Sequence, residues 1–274
     1  MIGTVSTSSA AQIGKGLEPD HLPAAVPEIR SVSLTVVGER GCVLPGERGE
    51  PFLSPVEGGV AQAGLWTLGI EVDEGLVHPP LLLRRLVGAL QVADDAFIAP
   101  TASLVGDVYI GPGAKVFPGA AVVGPAYVGA GAIVGNNALV RGSMVLDNCN
   151  VGFTTEVARS YVAAGCQMHA CRVLDSVFAP DVNFSAGCTT ANLRIDHGPV
   201  PSKVKGDRLS TGRDKLGAII GQGAFLGVDV MTMPGVKVGE AAQVGPGTHV
   251  MRDVADHQRV YVKQEQVLID GEDA

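Results

Sequence analysis

Large aromatic side chains are scarce in this sequence. They make up 4% of its 274 residues, with a single Trp, so a core assembled around bulky rings is excluded. An excess of basic residues is missing too. The formal net charge is -8, which argues against a nucleic-acid coat or an anionic membrane surface as partner. No apolar run is long enough to span a bilayer. The N-terminal stretch MIGTVSTSSAAQIGKG has neither the basic start nor the apolar centre of a secretory leader. Neither GxGxxG nor GxxxxGK[ST] occurs, so no loop of those kinds cradles phosphates. The cysteines (Cys42, Cys149, Cys166, Cys171 and Cys188) are odd in number and form no CxxC pair, which fits a reduced, cytoplasmic protein. The histidines include no pair five residues apart of the kind a shared metal would need, and no metal is expected.

What is present is a period of six. From Ile98 to Leu146 the first residue of each block is a large aliphatic: Ile98, Leu104, Ile110, Val116, Val122, Val128, Val134, Val140 and Leu146. Small residues follow four positions later, among them Ala102, Ala114, Ala120, Ala126, Ala132 and Ala138. A helix repeats every 3.6 residues and a plain strand every two, so neither explains this. The period fits hexapeptide repeats, in which three short strands make one triangular turn and the turns stack. The fold class expected is therefore mainly β: a left-handed parallel β-helix, with a small α/β unit in front of it.

In chain order, residues 1–28 are polar and read as a flexible N-terminus. Residues 29–92 read as the small α/β unit, with strands in SVSLTVVG and GLWTLGIEV and a short helix in LLLRRLVGAL. Residues 93–253 form the β-helix. Its period loosens after Leu146, where Val151, Val157, Val162, Val173, Phe178 and Phe184 continue the inward series with some blocks of five. It breaks at 194–217, read as an ejected loop, and resumes at Ile220, Leu226, Thr232, Val238, Val244 and Val250. Residues 254–274 are a tail with one possible last strand in VYVKQEQVLI. Cys149, Cys166 and Cys188 are about a turn apart and read as small core residues. Flat exposed sheets call for symmetric packing, and a homotrimer with sites in the grooves between subunits is expected.

Two features carry chemistry. Within an acidic chain, Lys203, Lys205, Arg208, Arg213 and Lys215 cluster in the ejected loop and suit the phosphates of a nucleotide-like ligand, though an ordinary solvated loop would look similar. His169 stands in the loosened region, with Asp175, Asn183 and Asn192 after it. An imidazole is the side chain that ordinarily exchanges a proton near neutral pH, which suits a general base; a lone structural His is the plain alternative.

The run from His169 through ACRVLD, SVFAPDVN, FSA and GCTTAN to LRID, followed by KVKG, STGRDKLGAIIG and MPGVKVG, resembles a known family. It is similar to the C-terminal acetyltransferase domain of archaeal-type bifunctional sugar-1-phosphate nucleotidylyltransferases, over residues 141–253. That resemblance implies transfer of an acetyl group from acetyl-CoA to the amine of an amino-sugar phosphate. It implies His169 as general base, Asn192 positioning the amino sugar or the acetyl group, Asn183 supporting the His face, and the Ala186 backbone N–H facing the thioester oxygen. Arg141 would meet the sugar phosphate. Glu156, Arg159, Arg172 and Asp175 would lie on the acceptor side, and the loop cations near cofactor or sugar phosphate. The chain departs from the pattern in lacking the nucleotidylyltransferase domain, in Arg172 and Leu193 at bacterial Tyr positions, and in the lysine after Glu156, for which Arg159 stands in. The reading is an acyl-CoA-dependent N-acyltransferase of a small amine. A repurposed enzyme of the same fold and a non-enzymatic trimeric scaffold are the alternatives.

Overall fold

The computed structural model describes residues 89–204 and 207–268. Before them it describes the strands Val5–Ser6, Ser31–Gly38, Gly41–Cys42, Trp66–Val72 and Gly75–Val77, which form one antiparallel sheet. Two of these, Ser31–Gly38 and Trp66–Val72, fall in the segments read as strands. The helix expected in LLLRRLVGAL falls, up to residue 88, outside the described residues.

From Gln91 the chain winds as a prism of three parallel sheets. Face I runs from Gln91–Val92 to Lys237–Val238 in eight strands, face II from Phe97–Ile98 to Arg259–Val260 in nine, and face III from Ser103–Val105 to His249–Val250 in eight. Each coil contributes one short strand to each face. This is the left-handed parallel β-helix that the six-residue period implies. It begins within the range assigned to the preceding unit, because Gln91–Val92 already pairs with the strand Val108–Ile110. It also continues past residue 253: Val254 bridges to Val238, and Arg259–Val260 pairs with Gln243–Val244. The tail therefore supplies part of a ninth coil.

Inward positions hold the aliphatics, as expected. Ile110, Val116, Val122, Val128, Val134 and Val140 are fully buried. The small residues at the corners (Ala114, Ala120, Ala132, Ala138, and then Cys149, Cys166, Cys171 and Cys188) are buried with them. Their size lets the chain bend without pushing the faces apart. Burial pushes the Cys171 thiol up to about 11 and the Cys188 thiol up to about 12, so both stay protonated packing groups.

One inward assignment shifts. Val128 pairs with Val145, not Leu146, so the block after Val140 has five residues. The reason is a change of corner. Between faces III and I, six residues separate Leu104 from Ile110 and Val122 from Val128. Five separate Val140 from Val145, Val157 from Val162, and Val173 from Phe178. In each short corner the third residue adopts the left-handed region: Gly142 (φ 55°), Arg159 (φ 50°) and Asp175 (φ 46°). A buried serine follows it. Its hydroxyl replaces the carbonyl that the missing residue would have supplied. Ser160 N donates to Ser143 Oγ (3.1 Å), Ser176 N to Ser160 Oγ (3.0 Å) and Ala218 N to Ser176 Oγ (3.0 Å). Each hydroxyl donates back to its own corner, as Ser143 Oγ does to Arg141 O at 2.8 Å. A buried backbone N–H therefore keeps an acceptor at every short corner.

The segment after Asn192 is not an irregular loop. It forms a β-hairpin arm in which Pro201–Val204 pairs antiparallel with Asp207–Ser210. A Leu193–Lys215 bridge closes its root. Val200, Ser202 and Thr211 are buried against the prism, and Ser202 Oγ donates to Gly235 O. The arm leaves at the III/I corner after the strand Thr189–Thr190, and Gly217 brings the chain back. A Cβ at Gly217 would lie 2.1 Å from both Leu174 O and Ser176 Oγ, so only glycine fits the return.

Candidate active site on face III

The residues of interest gather on face III, its two corners and the adjoining end of face II, over residues 139–192. His169 lies on the II/III corner, directly after the strand Gln167–Met168, and is exposed. This corner is also short, since five residues separate Met168 from Val173. Cys171 is the buried group that closes it. Its Sγ lies 2.9 Å from His169 O, 3.0 Å from Ser185 O and 3.2 Å from Phe184 O. The thiol holds the His169 backbone while the imidazole faces out. The ring sits over Gly152 of the preceding coil, where a Cβ would come within 3.0 Å of His169 Nδ1.

Asn183 opens the next strand of face II, in register with Gln167, and its Nδ2 donates to Ser185 Oγ at 3.2 Å. Since Met168 pairs with Phe184, Ser185 is the residue one coil below His169. Asn183 thus orders the surface next to the His169 corner. Ala186 follows on that corner. Its carbonyl accepts from Asp229 N (2.9 Å), and its N–H has no partner among the described residues.

Across face III, Glu156 and Arg172 occupy register partners on adjacent coils, with Thr189 next in line. Arg172 is exposed. Glu156 is engaged on its other side by Arg141, whose Nε and Nη2 donate at 3.0 and 2.7 Å. At the far III/I corner Arg159 grips Asp175 with both prongs, Nε to Oδ1 at 2.7 Å and Nη2 to Oδ2 at 2.6 Å. This hydrogen bonding to Asp175, outweighing desolvation, raises the guanidinium above its ordinary value. Asn192 Nδ2 donates to Asp175 Oδ2 in turn. The structure therefore brings Arg159, Asp175 and Asn192 into one chain of contacts. It places His169 at the opposite edge of the same face.

That pairing was not visible in sequence. Arg159 and Asp175 are sixteen residues apart, and only the five-residue corners make them equivalent positions of successive coils. A signal did exist: in V-x-[GRD]-S-x-[VF] the serine recurs at 143, 160 and 176.

The expected cation cluster is spread along the arm. Lys203 and Arg208 face each other across the hairpin and are exposed. Arg213 and Lys215 lie at its root, where Val200 N donates to Arg213 O. Lys205 is outside the described residues. The Lys237 ammonium donates to Lys203 O and pairs with Asp253 at 3.0 Å, tying the arm to the later coils.

Comparison with known proteins places these coils. The family described as GMPPB C-terminal domain matches residues 104–203. A bifunctional sugar-1-phosphate nucleotidylyltransferase/acetyltransferase of Sulfurisphaera tokodaii is 45% identical over 122 residues, which is 44% of this chain and 30% of that protein. The bifunctional protein GlmU of Methanocaldococcus jannaschii is 37% identical over 127 residues, 46% of this chain and 31% of that protein. The chain thus spans about a third of the length of these curated relatives. A solved UDP-N-acetylglucosamine acyltransferase from Arabidopsis covers 62% of this chain and 71% of its own, at 12% identity and a TM-score of 0.33. His169, Asn183 and Asn192 lie within the residues that match the GMPPB C-terminal domain, and over 122 residues the chain is similar to a bifunctional sugar-1-phosphate nucleotidylyltransferase/acetyltransferase.

Proposed function

We propose that this protein is an acyl-CoA-dependent N-acyltransferase, with acetyl-CoA as donor and an amino sugar or amino-sugar phosphate as acceptor. The observation that carries the reading is the position of His169. It is an exposed imidazole on a short corner, within the residues 104–203 that match the GMPPB C-terminal domain, in a chain that is 45% identical over 122 residues to a bifunctional nucleotidylyltransferase/acetyltransferase. His169 takes the proton as the acceptor nitrogen attacks the thioester carbonyl. The oxyanion that forms is met by a backbone N–H, for which Ala186 is the candidate. The intermediate collapses to the amide and CoA thiolate, and the thiolate regains a proton from the imidazolium. Lys203 and Arg208 at the tip of the arm, with Lys205 between them in sequence, supply charge for the CoA phosphates, and Arg213 and Lys215 extend it to the root. Faces II and III expose Phe97, Phe225, Val105 and Met251, which suits a homotrimer with the donor lodged between prisms.

The acceptor half is less open than the family pattern implies. A phosphate would have to compete with Glu156 for Arg141 and with Asp175 for Arg159, which leaves Arg172 as the uncommitted guanidinium on this face. Calorimetric titration with acetyl-CoA tests the donor half. Saturable binding that weakens in a Lys203→Ala/Arg208→Ala variant is expected. Absence of binding to the assembled protein would shift the reading to a scaffold, or to an enzyme of this fold that uses another ligand.

A further inference from the structure

Asp175 is the one charged residue in the buried set of the described residues, with 3% of its side chain exposed. A lone carboxylate in such a place costs several kcal/mol, so its contacts have to be strong and specific. Both oxygens are used. The Arg159 fork engages Oδ1 and Oδ2, and Asn192 Nδ2 adds a second bond to Oδ2. A carboxylate accepts hydrogen bonds and does not donate them. The nitrogen end of the Asn192 amide must therefore face Asp175, and the Oδ1 end must face away. The backbone on either side is held as well. Leu216 N donates to Asn192 O at 3.0 Å, Gly217 N to Asp175 O at 2.8 Å, and Asp175 N to Ala158 O at 2.9 Å. Asn192 Oδ1 has no partner among the described residues.

We infer that Asp175, gripped by Arg159, is a positioning residue that fixes Asn192 as a hydrogen-bond acceptor in the site. This rests on the N-acyltransferase reading, and it decides which substrate Asn192 touches. An outward carbonyl oxygen recognises an N–H or O–H. It therefore serves the attacking amine, or a hydroxyl beside it. It does not serve the thioester oxygen, which needs a donor. Arg159 then supports the acceptor subsite from behind and is not a ligand of the substrate's phosphate.

The test uses the full chain labelled with [15N]asparagine, with the Asn192 side-chain resonance identified by its loss in Asn192→Asp. In Asp175→Ala that resonance is expected to move and its amide protons to exchange ~10-fold faster. With acetyl-CoA and glucosamine 1-phosphate as probes, Asp175→Ala is expected to lower kcat/KM for the amine by ~10²-fold. The KM for acetyl-CoA is expected to hold, and Asp175→Glu to recover part of the loss. Asp175→Asn is measured beside it, so that an alanine chain that does not fold still leaves a readable variant. An unmoved Asn192 resonance, or an acetyl-CoA KM that rises as much as that for the amine, overturns the inference. A wild type that transfers no acetyl group refutes the functional reading alone, and the resonance still decides the Asp175–Asn192 orientation.

Discussion

The early coils and the middle coils of this prism are built from the same six-residue unit, yet they differ in one corner. Ile98 to Val140 follows an unbroken period. Its inward residues are aliphatic and its III/I corners have no buried hydroxyl. From Val140 to Phe178 that corner loses a residue in each coil. A buried serine takes over as acceptor, and the left-handed position becomes first Gly142, then Arg159, then Asp175. Shortening thus does two things at once. It replaces a backbone carbonyl acceptor at the corner with a serine hydroxyl, and it stacks two charged side chains at equivalent positions so that they meet. The coil with a shortened II/III corner as well is the one that presents His169. The candidate chemistry is concentrated where the period is broken, consistent with function intruding on a regular scaffold.

The interior also changes along this boundary. Valines give way to Met168, Phe178 and Phe184, all buried, and the two rings pack edge to face with centroids 5.1 Å apart. Phe178→Ala is expected to cost about 3–5 kcal/mol, the largest effect of any substitution here, because narrow neighbouring coils cannot collapse into the void. Denaturant titration reads it. A loss below about 1 kcal/mol would mean the middle coils are as adaptable as a loosely packed core.

The serine spine gives a sharper contrast. Ser160→Ala leaves the buried Ser176 N–H without its acceptor and is expected to cost about 1–3 kcal/mol. Thr232 is also an interior hydroxyl, but its Oγ1 is buried without a hydrogen-bond partner. Thr232→Val should therefore be neutral or stabilising by up to about 1 kcal/mol. Equal losses in the two variants, read from thermal midpoints, would contradict the assignment of the spine to the short corners.

How much of this could be read from the residues depends on the period. Where it held, from Ile98 to Val140, inward positions and corners followed directly from the spacing, since a prism admits little else. Where blocks of five appeared, one step was placed at Leu146 when the chain in fact turns at Val145, because both residues are apolar and spacing alone does not separate them. Thr190 is a further inward residue that the sequence reading did not name; Leu174 N donates to its Oγ1 at 2.8 Å inside. His169, Asn183 and Asn192 were singled out through their motif and are proposed as site residues. The pairing of Arg141 with Glu156 and of Arg159 with Asp175 was not, because it depends on coil lengths summed across whole turns. The arm read as a loop because its strands are only four residues long and polar.

The last expected effect concerns pH. The folded state holds the Cys171 and Cys188 protons to about 11 and about 12, above the ordinary thiol value of about 8.5. Above that ordinary value the unfolded chain releases protons that the folded chain keeps. Stability is therefore full below it and falls as pH rises towards about 12. Cys171→Ala should flatten part of that fall in melting curves. An unchanged slope would remove the buried thiol at the His169 corner from the pH response.

The most direct test of the account is release of CoA thiol from acetyl-CoA in the presence of glucosamine 1-phosphate and other amino sugars, for wild type beside His169→Ala. The account predicts amine-dependent turnover in the wild type. It predicts a fall of ~10²-fold or more in the variant, with the melting temperature and acetyl-CoA affinity retained. Turnover that survives the substitution unchanged would contradict it by taking His169 out of the chemistry.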